Sequence, residues 1–192
     1  MAAYPVRTRR WTRAQYERLA DLGVFGEDEP LELIGGQLIV AEPKGNPHAV
    51  AVGLASEALR EAFGSGWAVR VQDPVALDDE SEPEPDVAVV AGSHRDYLSG
   101  HPARPVLVVE VAESSLQLDR EHKGSLYARA GLADYWIVNL VDQQVEIYRV
   151  PGPDAAAAYG WRYQSVTILD ASASISPLAA PTARVTASDL LP

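Results

Sequence analysis

The spacing of apolar and polar positions changes period several times along this chain. At residues 11–23, WTRAQYERLADLG opens with Thr12 and Gln15 at capping-box spacing and closes on Gly23, which predicts a short helix. In LELIGGQLIVAEP, Gly35 and Gly36 separate a pair of alternating runs, the signal of a two-residue hairpin. Asn46 and Pro47 start a helix running to about Phe63, with Ala51, Leu54, Ala55, Ala58, Leu59 and Ala62 as its apolar stripe and Gly64 and Gly66 at its end. Three strands follow, WAVRVQ (67–72), DVAVV (86–90) and VLVVEV (106–111), separated by DDESEPEP and GSHRDYLSGHPARP. A helix from about Leu118 to Ala130 stops at Gly131, and DYWIVN (134–139) is the next strand. QVEIYRV and WRYQSVTIL then read as a hairpin across PGPDAAAAYG, followed by an irregular tail with a last turn at SDLL.

Helix, three strands, helix, strand is an α/β order. The connection from strand 106–111 through a helix to strand 134–139 is long enough to be parallel. A single domain over 1–192 is expected, with its core at about 31–140 and a C-terminal hairpin extension at about 144–192. At 192 residues and 47% hydrophobic content the chain can bury one sizeable core, and it contains no apolar stretch long enough to span a membrane. The first residues, MAAYPVRTRRWT, lack an apolar secretion segment, which predicts a cytoplasmic protein. Without cysteine, disulfides and thiolate metal sites are ruled out. A net charge of −11 argues against a protein that coats nucleic acid, but leaves room for a local, metal-bridged phosphate site.

The run 106–111 is apolar at five positions of six, the pattern of a strand covered on both faces, and its exception is Glu110. An ionised carboxylate there is costly unless something pairs with it. Asp86 begins the preceding strand directly after Pro85, 24 positions before Glu110, so antiparallel pairing of the two strands would bring these carboxylates together. They would repel unless a cation or a shared proton lay between them. Oxygen-only ligands with room for water suit Mg²⁺ or Mn²⁺, and the absence of cysteine and of a His-x-x-x-His pattern disfavours zinc. In the next helix Asp119 and Lys123 form an i,i+4 pair, ordinarily a solvated helix edge. Its place one connection after Glu110 makes Lys123 a candidate.

Together, PEPDVAVV, PVLVVEVAESS and DREHKGSLYARAGLADYWIVN, preceded by LELIGGQLIV and NPHAVAVGLASEAL, closely resemble the Uma-two family of restriction-endonuclease-like proteins. That family is a branch of the PD-(D/E)XK nuclease superfamily, and the resemblance runs over nearly the whole chain from Trp11. It implies a restriction-endonuclease-like core, a mixed sheet flanked by helices, preceded by the N-terminal helix and hairpin and followed by the C-terminal β-hairpin extension. It matches Asp86 to the motif aspartate and Glu110 to the motif acid, both metal ligands, with the Val111 carbonyl a further ligand. The superfamily lysine normally stands two positions after the acid, where this chain has Ala112, so Lys123 on the following helix becomes its match. Glu32 matches a family glutamate that would bind or orient the metal's waters; its alternative is a polar strand position. The chain departs from the family at Val111-Ala112-Glu113-Ser114-Ser115, where Val-x-Ser-Pro-Ser is usual, and at Asn139, where an aspartate is common.

These readings lead to a Mg²⁺- or Mn²⁺-dependent endonuclease that cuts DNA, with Asp86, Glu110 and Lys123 catalytic. His48, in the first turn of its helix, would be kept neutral by the positive helix end and could orient water or contact phosphate, or else be a surface residue. The competing class is a nuclease-fold binding or assembly module, or an enzyme acting on a smaller phosphorylated ligand, which the negative charge favours and the intact triad disfavours. Paired cuts in duplex DNA imply a homodimer, with some of the 144–169 hairpin buried between subunits. Arg7, Arg9, Arg10 and Arg13 would either reach a DNA backbone or belong to a mobile N-terminus. The remaining features read as structural: His94, His101 and His122 as solvated, Tyr127, Tyr135 and Trp136 as core rather than a base-stacking platform, and DDESEPEP as a solvated loop.

Overall fold

The computed structural model describes residues 8–26, 30–41 and 44–192, so Arg7 lies outside the described residues. Helix α1 (Arg13–Asp21) is closed by the expected capping box, in which Thr12 and Gln15 each accept from the other's backbone N–H. Strands β1 (Leu31–Ile34) and β2 (Gln37–Val40) form a hairpin whose turn residues Gly35 and Gly36 have φ of 55° and 77°, left-handed values that a two-residue turn of this hand demands. Helix α2 (Asn46–Phe63) takes Pro47 in its first turn, where no intrahelical N–H is lost, and buries Ala51, Ala55, Leu59 and Phe63.

Six strands make the main sheet: β3 (Trp67–Val71), β4 (Val87–Ala91), β5 (Leu107–Ala112), β6 (Asp134–Asn139), β7 (Gln144–Pro153) and β8 (Trp161–Leu169), in sequence order across the sheet. Every neighbouring pair is antiparallel except β5 and β6, which are parallel, so the sheet is mixed as expected. The predicted hairpin extension continues this sheet, with β7 paired to β6 along its length. Short strands β9 (Ser174–Ile175) and β10 (Val185–Thr186) close the tail.

Two apolar cores flank the sheet. On one face α2 packs over Val87, Val109, Val111 and Trp136, joined by the tail residues Val185, Ala187 and Leu190. On the other, Tyr127, Ala128 and Leu132 cover Ala88, Val108, Tyr135 and Ile137. β5 and β6 are covered on both sides, which is why their sequences read as mainly apolar runs without alternation, with Glu110 the exception inside β5.

Two expectations need correction. The 118–130 segment is not a uniform α-helix: α3, residues 116–129, is α-helical over Leu116–Leu118, widens to a π-turn over Asp119–Lys123 and returns to α over Gly124–Arg129. DDESEPEP is not a solvated loop. Ser81 and Glu82 are buried because the segment lies along the β1 hairpin, Glu82 N–H donating to the Leu33 carbonyl and Gly36 N–H to that of Glu80.

Candidate active site

The site forms where β3, β4 and β5 end side by side. In the sheet register Val71 faces Val87 and Val87 faces Val109, so the residues at the strand ends, Gln72, Asp86 and Glu110, fall in one row. Gln72 has a φ of 52°, a left-handed conformation rare for a residue with a side chain. From it, the Gln72 amide donates to Asp86 Oδ1 at 3.3 Å.

Asp86 is almost fully buried, and its carboxylate accepts from four donors: Lys44 Nζ at 2.8 Å and Gln72 on Oδ1, His48 Nε2 at 3.1 Å and the Val111 N–H at 2.9 Å on Oδ2. Burial alone would raise its pKa, but the hydrogen bond from His48 and the charge of Lys44 hold it well below the usual carboxylate range. Asp86 is therefore a fixed anion. The backbone N–H of Asp86 in turn donates to Glu110 Oε2 at 3.4 Å, so the expected meeting of the two acids takes place.

Glu110 is 2% exposed, and its Oε1 accepts from Lys123 Nζ at 3.2 Å and from the Tyr127 hydroxyl at 2.7 Å. Burial pushes its carboxyl upward, Lys123 pulls it down, and Asp119, Asp86 and Glu32 add to the rise. Lys123 also reaches Glu32 at 3.2 Å. Its burial disfavours charge, but the surrounding acids, Glu110 first, more than offset this and keep it an ammonium. Lys123 and Tyr127 stand one turn apart on α3 and so contact one carboxylate together. At the π-turn, Gly124 N–H reaches back to the Asp119 carbonyl, and a Cβ on Gly124 would lie 3.2 Å from that oxygen.

The solvated-edge reading of Asp119 and Lys123 is overturned, since both are buried. The Asp119 carboxyl accepts from Ser115 Oγ at 2.6 Å, and burial pushes it up to about 6, against the pull of Lys123 and the Ser115 bond. His48 is likewise buried, not a surface residue, and its Nδ1 has no partner among the described residues. Glu32 accepts the Glu84 N–H at 3.2 Å and Lys123, so its side chain belongs to the site. Val111 reaches Asp86 through its N–H.

Sequence reasoning missed Lys44, Gln72 and Glu84, and placed Tyr127 only in the core. Tyr127 is indeed fully buried, with Tyr135 and Trp136, but its hydroxyl is spent on Glu110. No local pattern marks Lys44 or Gln72, because both come to Asp86 from other elements. His94, His101 and His122 are exposed and lie outside this cleft. The described N-terminal arginines are engaged: Arg9 lies over Trp11, while Arg10 pairs with Glu80 and Arg13 with Glu17.

The cleft above the acid pair is lined by six carboxylates, of Glu32, Glu84, Asp86, Glu110, Glu113 and Asp119, against two lysines, Lys44 and Lys123. Burial, with the charge of Glu32, also raises the Glu84 carboxyl. Such an excess of anionic oxygen favours a further cation. Among the described residues no three His, Asp or Glu side chains converge tightly enough to cage a metal. A hard divalent ion that keeps several waters and takes only two carboxylates fits this donor set.

A family model described as "Putative restriction endonuclease", Uma2, matches residues 13–188. Among solved structures, the chain is similar to "a putative nuclease belonging to DUF820" from Anabaena variabilis, with a TM-score of 0.67 and 15% identity over 97% of each chain. At that identity the likeness establishes a shared fold. No curated protein matches the chain.

Proposed function

The chain belongs to the Uma2 family, and on that premise we propose that it is a metal-dependent nuclease that hydrolyses phosphodiester bonds in DNA. The observation that carries the reading is the junction of buried Asp86 and Glu110 in an acid-rich cleft that also holds the ammonium of Lys123. Asp86 and Glu110 would hold Mg²⁺ or Mn²⁺, with the Val111 carbonyl as a further oxygen. Bound there, the ion supplies Lewis acidity to a phosphoryl oxygen and lowers the pKa of an attacking water. Lys123 offsets the charge that builds on the phosphoryl oxygens as water attacks in line. Glu32 and Tyr127 hold Lys123 and Glu110 in place, and His48 and Gln72 fix the orientation of Asp86.

Plasmid cleavage with and without Mg²⁺ or Mn²⁺ tests this. Metal-dependent nicking by the wild type, lost in Asp86→Ala, is expected; wild-type protein that never cuts, or Asp86→Ala that cuts as well, overturns it. The net charge of −11 favours a second reading, action on a smaller phosphorylated ligand. Metal-dependent hydrolysis of bis(p-nitrophenyl) phosphate without DNA cleavage would select it.

We also propose a homodimer through β8. It is the edge strand of the main sheet and exposes Val166 and Ile168, each about half accessible, on a surface where an unpaired strand edge invites a partner. Light scattering at micromolar concentration should give twice the monomer mass, and Val166→Lys with Ile168→Lys should halve it. A monomeric wild type refutes the proposal.

A further inference from the structure

The two lysines of the cleft are held very differently. Lys123 is 6% exposed, sits on α3 between Glu110 and Glu32, and has both anions within 3.3 Å. Lys44 stands in the segment between β2 and α2, its side chain 38% exposed at the cleft mouth, and it pairs with Asp86 at 2.8 Å. Asp86's other three donors are a backbone N–H within β5, the buried His48 on α2 and the neutral side-chain amide of Gln72, an exposed residue at the end of β3. Between them they and Lys44 occupy both carboxylate oxygens. Oδ1 is held by two exposed side chains, Lys44 and Gln72, and of these Lys44 is the cation, so a divalent ion gains access to Asp86 by replacing the Lys44 ammonium there. The exchange is favourable in charge, +2 for +1 beside six carboxylates.

We propose that Lys44 is an exchangeable counter-ion: it neutralises Asp86 when no metal is bound, yields Oδ1 to the incoming metal, and turns its ammonium to a phosphate of the substrate backbone. The inference rests on the metal-dependent reading above and adds to it a specific division of labour, with Lys123 fixed and Lys44 mobile. It also addresses the charge of the cleft. Displacement of Lys44 delivers a cation to the cleft mouth, beside Glu113, where a polyanion would otherwise meet repulsion. A four-carbon stem limits the reach of that ammonium to a phosphate near the scissile one.

The test uses Mn²⁺ titration calorimetry without DNA, on wild type, Lys44→Met and Lys44→Arg, with melting temperature followed for each. Lys44→Met removes the competitor, so it should bind Mn²⁺ roughly three- to tenfold more tightly, while Lys44→Arg should stay near wild type. In the second arm, binding of a short DNA duplex in Ca²⁺ is measured against salt. Lys44→Met should bind more weakly and lose about one unit of the log–log slope, as for one lost phosphate contact. Wild-type Mn²⁺ binding with no gain in Lys44→Met overturns the exchange alone, and an unchanged salt slope overturns the phosphate contact. Failure of both wild type and Lys44→Met to bind Mn²⁺ brings down the metal-dependent reading and the exchange with it.

Discussion

Replacing Lys123 by Met removes an ammonium from a buried cluster while keeping most of its stem volume, so the change in stability reports charge rather than packing. Without it, Glu110 keeps the Tyr127 hydroxyl at 2.7 Å and the Asp86 N–H at 3.4 Å, and Glu32 keeps the Glu84 N–H at 3.2 Å. Two buried carboxylates then lose their counter-ion, and breaking a buried pair from one side costs about 3–5 kcal/mol. The cost should depend on pH. Burial raises the Glu110 carboxyl in the folded protein, so the folded state binds more protons than the unfolded chain, and removal of Lys123 raises it further; protonation relieves the variant at pH 6 and the loss grows toward pH 8.5. Added Mn²⁺ should restore more stability to the variant than to the wild type, since it replaces the missing charge. Plasmid cleavage should fall by about 10²-fold or more. Urea unfolding followed by circular dichroism at both pH values, with and without Mn²⁺, measures this. A variant within ~1 kcal/mol of wild type at pH 8.5 would refute the pairing argument. A large loss in a protein whose wild type binds no Mn²⁺ would make Lys123 a structural counter-ion, and the nuclease proposal would fall.

Two further outcomes follow from regions outside the acid pair. Burial, with a bond and charge from Glu17 and against the pull of Arg13, pushes Glu82 up to about 7, so its contribution to stability is complete below the unfolded value near 4.5 and is lost as pH rises through 7. The unfolding free energy from urea titration should fall between pH 5 and pH 8 by an amount on the order of 1 kcal/mol, and Glu82→Gln should flatten that slope; equal slopes in both proteins would refute the assignment. Gly35→Ala should destabilise by about 1–2 kcal/mol, because the residue has a φ of 55° and its new Cβ would run into the Tyr159 ring; an unchanged melting temperature would show that the hairpin turn is not held there.

Local chemistry made much of this protein legible. The Thr12 capping box, the Gly35-Gly36 turn, Pro47 at the start of α2 and the doubly covered runs of β5 and β6 each depend on residues within a few positions of one another, and each forms as read. Asp86 and Glu110 were also legible as a pair, since a buried acid in an apolar strand and an acid at the start of its neighbour must meet if the strands run antiparallel. Asn139 departs from its expected aspartate without loss of order. Its amide oxygen accepts the N–H groups of Val141 and Asp142, and its NH₂ group reaches Glu146 at 2.7 Å, where an aspartate would face another carboxylate.

The rest depended on distance in sequence. Lys44 lies 42 positions from Asp86 and Lys123 lies 91 from Glu32, so no spacing rule could join them. DDESEPEP read as solvated because its composition is acidic, yet pairing with the β1 hairpin buries Ser81 and Glu82. Asp119 read as half of a surface pair because i,i+4 geometry assumes a regular helix, and the π-turn together with packing against the sheet buries it instead. Sequence alone determined the elements, their order and the acid pair, because backbone propensity and apolar period act over one or two turns. Tertiary structure alone brought in Lys44 and decided which acids each lysine pairs with, because an ion pair requires only that two charges share a few ångströms of space, wherever the chain has carried them.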